Sequence, residues 1–116
     1  MPTPHALPLN QQRCAHQSGA ALSASEQQIL MSQLSPGWHV DNSAPGGVLC
    51  QTFTFADFHR TMAFVNAIAW IAHEQDHHPD LAVSYKNCTI RWSTHSVGGL
   101  SINDFICAAR VDALSA

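Results

Sequence analysis

Leu81-Ala82-Val83-Ser84-Tyr85-Lys86-Asn87-Cys88-Thr89-Ile90-Arg91-Trp92-Ser93-Thr94-His95 is the stretch that decides the fold. Leu81, Val83 and Tyr85 alternate with Ala82 and Ser84; Cys88, Ile90 and Trp92 alternate with Thr89, Arg91 and Ser93. Such period-two alternation is the pattern of half-buried strands. Lys86-Asn87 between the two runs predicts a two-residue turn, because Asn tolerates the left-handed conformation such turns use. The stretch is therefore expected to be a β-hairpin that ends at Thr94-His95.

Working upstream, Pro79 ends any helical pattern and biases His78 toward extended geometry. Before it, a helix is expected from Thr54 to about His73. Thr54-Phe55-Ala56-Asp57 resembles a capping box with Asp in place of Glu. Phe58, Met62, Val65, Ala69 and Ala72 make one apolar face, and Phe64, Ile68 and Ile71 a second. A helix apolar on two sides belongs either to a thick core or to a subunit contact. Further upstream, Trp38–Asp41 and Val48–Phe53 flank a Pro- and Gly-containing turn and predict a first hairpin. Ser25 is a candidate cap for a first helix on Ile29, Leu30 and Leu34, stopped by Ser35-Pro36-Gly37.

Downstream, Gly98-Gly99 marks a loop, and Ser101-Ile102-Asn103-Asp104 is a second capping-box pattern. A last helix follows to about Leu114. The order α-β-β-α-β-β-α predicts an antiparallel sheet with helices on one face, an α+β sandwich. Residues 1–24, rich in Pro, Gln, Ser and Ala, are expected to be a flexible N-terminal arm, with a short ordered piece near Leu7 to Cys14. Residues 25–116 would be the domain.

A chain of 116 residues favours one domain. Only 11% of the residues are charged, against about 25% in an ordinary domain, which suggests that part of the surface is covered by another subunit. The net charge of -3 and the lack of any basic run argue against nucleic acid and anionic membranes as partners. The longest nearly apolar run, Met62 to Ala72, is too short for a bilayer. Met1-Pro2-Thr3-Pro4-His5 lacks the basic start of a secretory signal, so a cytoplasmic location is expected. Cys14, Cys50, Cys88 and Cys107 form no CxxC pair and read as free thiols.

Eight His equal all the carboxylates together. His5 and His16 fall in the arm, and His39 and His59 are isolated. The dense segment is His73-Glu74-Gln75-Asp76-His77-His78-Pro79-Asp80. Read literally, His73-Glu74-x-x-His77 matches the HExxH pattern of zinc hydrolases, in which i and i+4 imidazoles share a metal. The context is poor, because Pro79 stops the helix just past the second ligand. The other reading is metal-free acid–base chemistry. The hairpin folds Thr94-His95 back beside Pro79-Asp80, so His77, His78 and His95 can converge on one pocket rim. Asp76 or Asp104 could orient a ring. Groups titrating near pH 7 suit proton transfer in both directions. A purely structural cluster stays open at this level.

Asp76-His77-His78-Pro79-Asp80, Tyr85, Ser93-Thr94-His95, Gly99-Leu100-Ser101 and Asp104 resemble the signature of the pterin-4a-carbinolamine dehydratases. Phe53, Phe55, Phe58 and Ala63-Phe64-Val65 fit the lead-in to that family's long helix. The resemblance runs from about Trp38 to Ala113. It implies a four-stranded antiparallel sheet with three helices on one face, in dimers often paired into tetramers. It implies loss of water from 4a-hydroxytetrahydropterin to give quinonoid dihydropterin, recycling the pterin of aromatic amino-acid hydroxylases such as phenylalanine hydroxylase. No metal or cofactor is implied.

Carried over by position, His77, His78 and His95 would be the catalytic residues. Asp76, Pro79, Asp80, Thr94, Asp104 and His73 would bind substrate or support the pocket. Two positions depart from the pattern: His73 stands where many relatives have Glu, and Leu81 where some have Trp. The resemblance also brings an alternative, a non-catalytic dimerisation or assembly-factor module of the same fold.

Overall fold

The computed structural model describes residues 7–114. Its regular elements are α1 (Ala24–Met31), β1 (His39–Asp41), β2 (Val48–Thr54), α2 (Phe58–Gln75), β3 (Asp80–Val83), β4 (Asn87–Trp92) and α3 (Ile102–Ala113), with short 3-10 helices at Leu9–Gln11 and His95–Val97. The four strands form one antiparallel sheet in the order β1-β2-β4-β3. The expected α+β order is observed.

Side-chain alternation sorts the sheet into two faces. Leu49, Cys88, Ile90 and Trp92 point inward and are fully buried against Ile68 and Ile71 of α2 and Phe105, Ile106 and Val111 of α3. Burial of such side chains stabilises by about 1.5–3 kcal/mol each, which makes this layer the main source of stability. The outer face is polar: Thr52 bonds Thr89, Thr54 bonds Asn87, and Arg91 reaches Asp41 at 3.2 Å.

Four local expectations shift. The second hairpin turns at Tyr85-Lys86, not Lys86-Asn87: Ser84 N–H donates to Asn87 O, and Asn87 starts β4. The tip is held from outside, since Thr61 Oγ1 donates to Tyr85 O and Phe55 N–H to Lys86 O. Moving the turn by one residue moves the register by two, so each side chain keeps its face. Thr54 closes β2 instead of capping α2; the cap is Asp57, whose carboxylate accepts from Arg60 N–H. The first helix is capped by Ser23 in a capping box with Glu26, and ends at Met31, leaving Ile29 exposed. On α2, Ile68, Ile71 and Ala72 are buried, whereas Phe58 and Trp70 face out.

Part of the segment expected to be a flexible arm packs on the domain: Leu9 is buried in the core and Cys14 is half-buried against it. Residues 1–6, His5 among them, lie outside the described residues. Asn103 to Ala109 of α3 are buried without interruption. A helix buried on more than one face needs cover on both sides. The sheet covers one, and Leu9 and Cys14 help cover the other. Main-chain anchors hold this strap: Asn103 Nδ2 donates to Ala15 O, the Arg110 guanidinium to Gln12 O, and Leu22 N–H to Leu100 O.

Candidate active site

α2 stops where its chain reverses hand. Asp76 has φ 50°, the left-handed region. Its N–H donates to His73 O, and His77 N–H to Ala72 O. This pair of bonds is a Schellman motif, which satisfies the last carbonyls of a helix; Asp tolerates the conformation better than most residues. The reversal turns His77 inward.

His77 Nε2 donates to Asp104 Oδ1 at 2.6 Å. Asp104 is fully buried, and its other oxygen accepts from Thr94 Oγ1 at 2.8 Å and Ser101 N–H at 2.9 Å. Ser101 and Asp104 form the expected capping box of α3. One carboxylate therefore caps a helix, ties down the end of the hairpin through Thr94, and orients an imidazole 27 residues away. Beneath it, the His77 ring stacks on buried Trp92 with centroids 5.7 Å apart and planes 10° off parallel. Burial pushes the His77 pKa down, but the hydrogen bond to Asp104 and its charge, with the charges of Cys14 and Asp76, outweigh that and raise it above the ordinary histidine value.

A cavity of about 430 Å³ opens over this ring, a volume in the range of small-molecule sites. Asp76, His77, His78, Thr94 and His95 line it. His78 and His95 are exposed at its rim. His95 rides on a loop set by glycine: a Cβ on Gly46 would lie 2.2 Å from Gly98 O, so the first hairpin's turn fits against this loop only without a side chain.

Four expected residues do not line the cavity: Asp104 lies fully buried behind His77, and three others stand away from it. His73 lies exposed on α2, its ring 5.8 Å from that of Trp70. Asp80 is exposed at the start of β3, in register with Arg91. Pro79 joins the helix end to β3 without lining the cavity. The HExxH pattern is likewise split, with His73 outside and His77 turned in beyond the end of the helix. Among the described residues, no group of three or more His, Cys, Asp or Glu is placed to hold a metal.

The cavity also has a wall that sequence reasoning missed: Cys14, Ala15, His16 and Gln17 of the strap, with Gln75, Ser96 and Asn103. Cys14 N–H donates to Gln75 Oε1 at 2.8 Å, and Ser96 Oγ to Gln17 O at 2.7 Å. No periodicity marks these residues, and His16 counted only as part of the arm.

A family model described as "Pterin 4 alpha carbinolamine dehydratase" matches residues 20–114. The chain belongs to this family. A Stenotrophomonas maltophilia (strain K279a) protein named "Putative pterin-4-alpha-carbinolamine dehydratase" is 51% identical over 111 residues, covering 94% of this chain and 93% of its own. A protein of the same name from Xanthomonas campestris pv. campestris (strain 8004) is 50% identical over 107 residues, covering 90% and 88%. Among solved structures, a "transcriptional coactivator/pterin dehydratase from Brucella Melitensis" aligns with a TM-score of 0.75 at 26% identity, over 83% of this chain and 99% of that one. A pterin dehydratase-like protein described as a RuBisCO assembly factor in the alpha-carboxysome aligns with a TM-score of 0.58 at 25% identity, over 68% and 89%. The family match begins at residue 20, so the strap residues Cys14 to Gln17 that wall the cavity lie outside the region the family model matches.

Proposed function

We propose that this protein is a 4a-hydroxytetrahydropterin dehydratase working by histidine acid–base catalysis. The observation that carries the proposal is the meeting of His77, His78 and His95 at one cavity, with His77 fixed by a buried carboxylate, in a chain of this family. In the reaction the C4a–O bond breaks, the departing oxygen gains a proton and leaves as water, and N5 loses its proton as the N5=C4a bond forms. His77 delivers the proton to the hydroxyl. Its Nε2–H is committed to Asp104, so Nδ1 serves the substrate, and the Asp104 carboxylate favours the imidazolium needed for an acid. His95 takes the N5 proton. His78 holds the flat ring at the rim, with Asp76 and Thr94 as polar neighbours. Pro79, Asp80 and His73 act from outside the cavity, shaping the chain that presents His77 and His78. The residues do this chemistry without a cofactor.

The reading extends to pterin recycling for phenylalanine hydroxylase, a cytoplasmic location and a homodimer or homotetramer. Sparse surface charge and exposed Trp70 support the assembly. No helix among the described residues is long and apolar enough to cross a membrane.

The test is the decay of 4a-hydroxytetrahydropterin, generated in place by a phenylalanine hydroxylase and followed by ultraviolet absorbance. Chelator-insensitive acceleration that is lost in His77→Ala and His95→Ala is expected. The coactivator and assembly-factor descriptions of the two structural neighbours favour a second reading, a non-catalytic binding module. Folded wild-type protein that gives no acceleration would put that reading first.

A further inference from the structure

The strap carries a reactive group that the dehydration does not use. Cys14 Sγ lies 3.6 Å from Cys107 Sγ, and the two residues are 93 apart in sequence. Both are free thiols. We infer that Cys14 and Cys107 are a reversible disulfide site, and that its oxidation by a peroxide fastens the strap to α3 beside the cavity.

The geometry allows the bond. A disulfide needs about 2.05 Å between sulfurs, so the pair must close by roughly 1.5 Å. Cys107 is fully buried in the middle of α3 and stays where it is. Cys14 sits in a stretch without helix or strand, residues 12–18, which can make the move. Cys14 is partly exposed and lines the cavity, so a small oxidant reaches it first. Cys50 and Cys88 differ: Cys50 lies on the outer sheet face beside Arg91, and Cys88 is fully buried among core residues.

Exposure divides the roles, and the electrostatics run the same way. The hydrogen bond from Cys107 lowers the Cys14 thiol pKa; burial opposes it, and the charges of His77 and Arg110 lower it further. The same pairing, with burial, pushes Cys107 up. Cys14, half-buried and open to the cavity, is thus the attacking thiolate, and fully buried Cys107 the resolving thiol. With hydrogen peroxide, the Cys14 thiolate attacks one oxygen, the O–O bond breaks, and hydroxide leaves to be protonated to water. Cys14 becomes a sulfenic acid. Cys107 sulfur then attacks Cys14 sulfur, the S–S bond forms, and the sulfenic oxygen leaves with the Cys107 proton as a second water. Two electrons pass from two thiols to one peroxide, and a dithiol reductant reverses the change.

The experiment treats the reduced, purified full-length protein with equimolar hydrogen peroxide and counts thiols by alkylation and intact mass. Of four cysteines, two are expected to lose reactivity, with a peptide linking Cys14 to Cys107 in the unreduced digest. Dithiothreitol should restore all four. A cross-link closing so long a loop should raise Tm by about 5–15 °C. Cys14→Ser should slow thiol loss at least tenfold, and in Cys107→Ser the Cys14 sulfenic acid should be trapped by dimedone. Circular dichroism checks the fold of both; Cys14→Ser alone suffices if the core position does not tolerate Ser. Four thiols left reactive, a linkage to any other cysteine or between chains, or Cys14 passing to sulfinic acid unlinked in the wild type each overturn the inference. None of these readouts depends on dehydratase activity.

Discussion

Asp104→Asn tests the centre of the site most directly, because it keeps the shape and removes the charge. In the native protein three donors converge on the carboxylate: His77 Nε2, Thr94 Oγ1 and Ser101 N–H. In the variant, one amide oxygen can still accept from Thr94 and Ser101. The amide NH₂ then faces His77 Nε2, and the ring can satisfy it only as a neutral imidazole with its proton on Nδ1. Burial already pushes the His77 pKa down, and the Asp104 contributions reverse that. Without them the pKa should fall from above the ordinary histidine value to below it.

A raised histidine pKa stabilises the fold below the unfolded value of about 6.5, and that contribution is lost as pH rises through the folded value. The variant lacks it, so its deficit should be largest in acid. A charge-assisted hydrogen bond is worth about 1.5–3 kcal/mol. Urea unfolding should therefore show a deficit of about that size at pH 5.5, shrinking by pH 8.5. Proton–carbon NMR titration of the His77 ring gives the pKa itself, and each unit of fall corresponds to about 1.4 kcal/mol. An unchanged His77 pKa, or an equal deficit at both pH values, would refute the reasoning.

Other substitutions separate chemistry from scaffold. His77→Ala and His95→Ala should each lower kcat by about 10²–10⁴-fold, measured in the dehydration assay, with circular dichroism unchanged. Asp76→Gly should leave stability equal or raise it by up to about 1 kcal/mol, since Gly suits the left-handed region. Asp76→Val should cost about 1–2 kcal/mol there, both read from urea midpoints. Gly46→Ala places a Cβ against the Gly98 carbonyl and should destabilise by about 1–3 kcal/mol. Because that loop carries His95, kcat should drop with it, which native-gel and kinetic comparison at 25 °C would detect.

Apolar period and caps made the fold legible. Two alternating runs around a polar break wrote a hairpin, and burial on one face fixed which side chains point inward even though the turn slipped by one residue and the register by two. The Ser101–Asp104 box was equally readable, because a cap is a local bond spanning three residues. Local chemistry also exposed the His cluster, and the spacing of His77, His78, His95 and Asp104 carried the family resemblance. What sequence alone decided, then, was element order, sheet class and the family's histidine set.

Tertiary structure decided the rest. Asp57 outcompeted Thr54 as the cap of α2 because Thr54 was already paired to Asn87 across the sheet. His73 and Asp80 left the cavity because a helix end and a strand face point each side chain by geometry that composition does not encode. The strap joined it because α3, buried along Asn103 to Ala109, needs cover on the side away from the sheet, and Leu9 and Cys14 supply part of it. A contact between residues 93 apart has no local pattern to announce it: it exists only where packing brings two distant, individually unremarkable side chains to the same place.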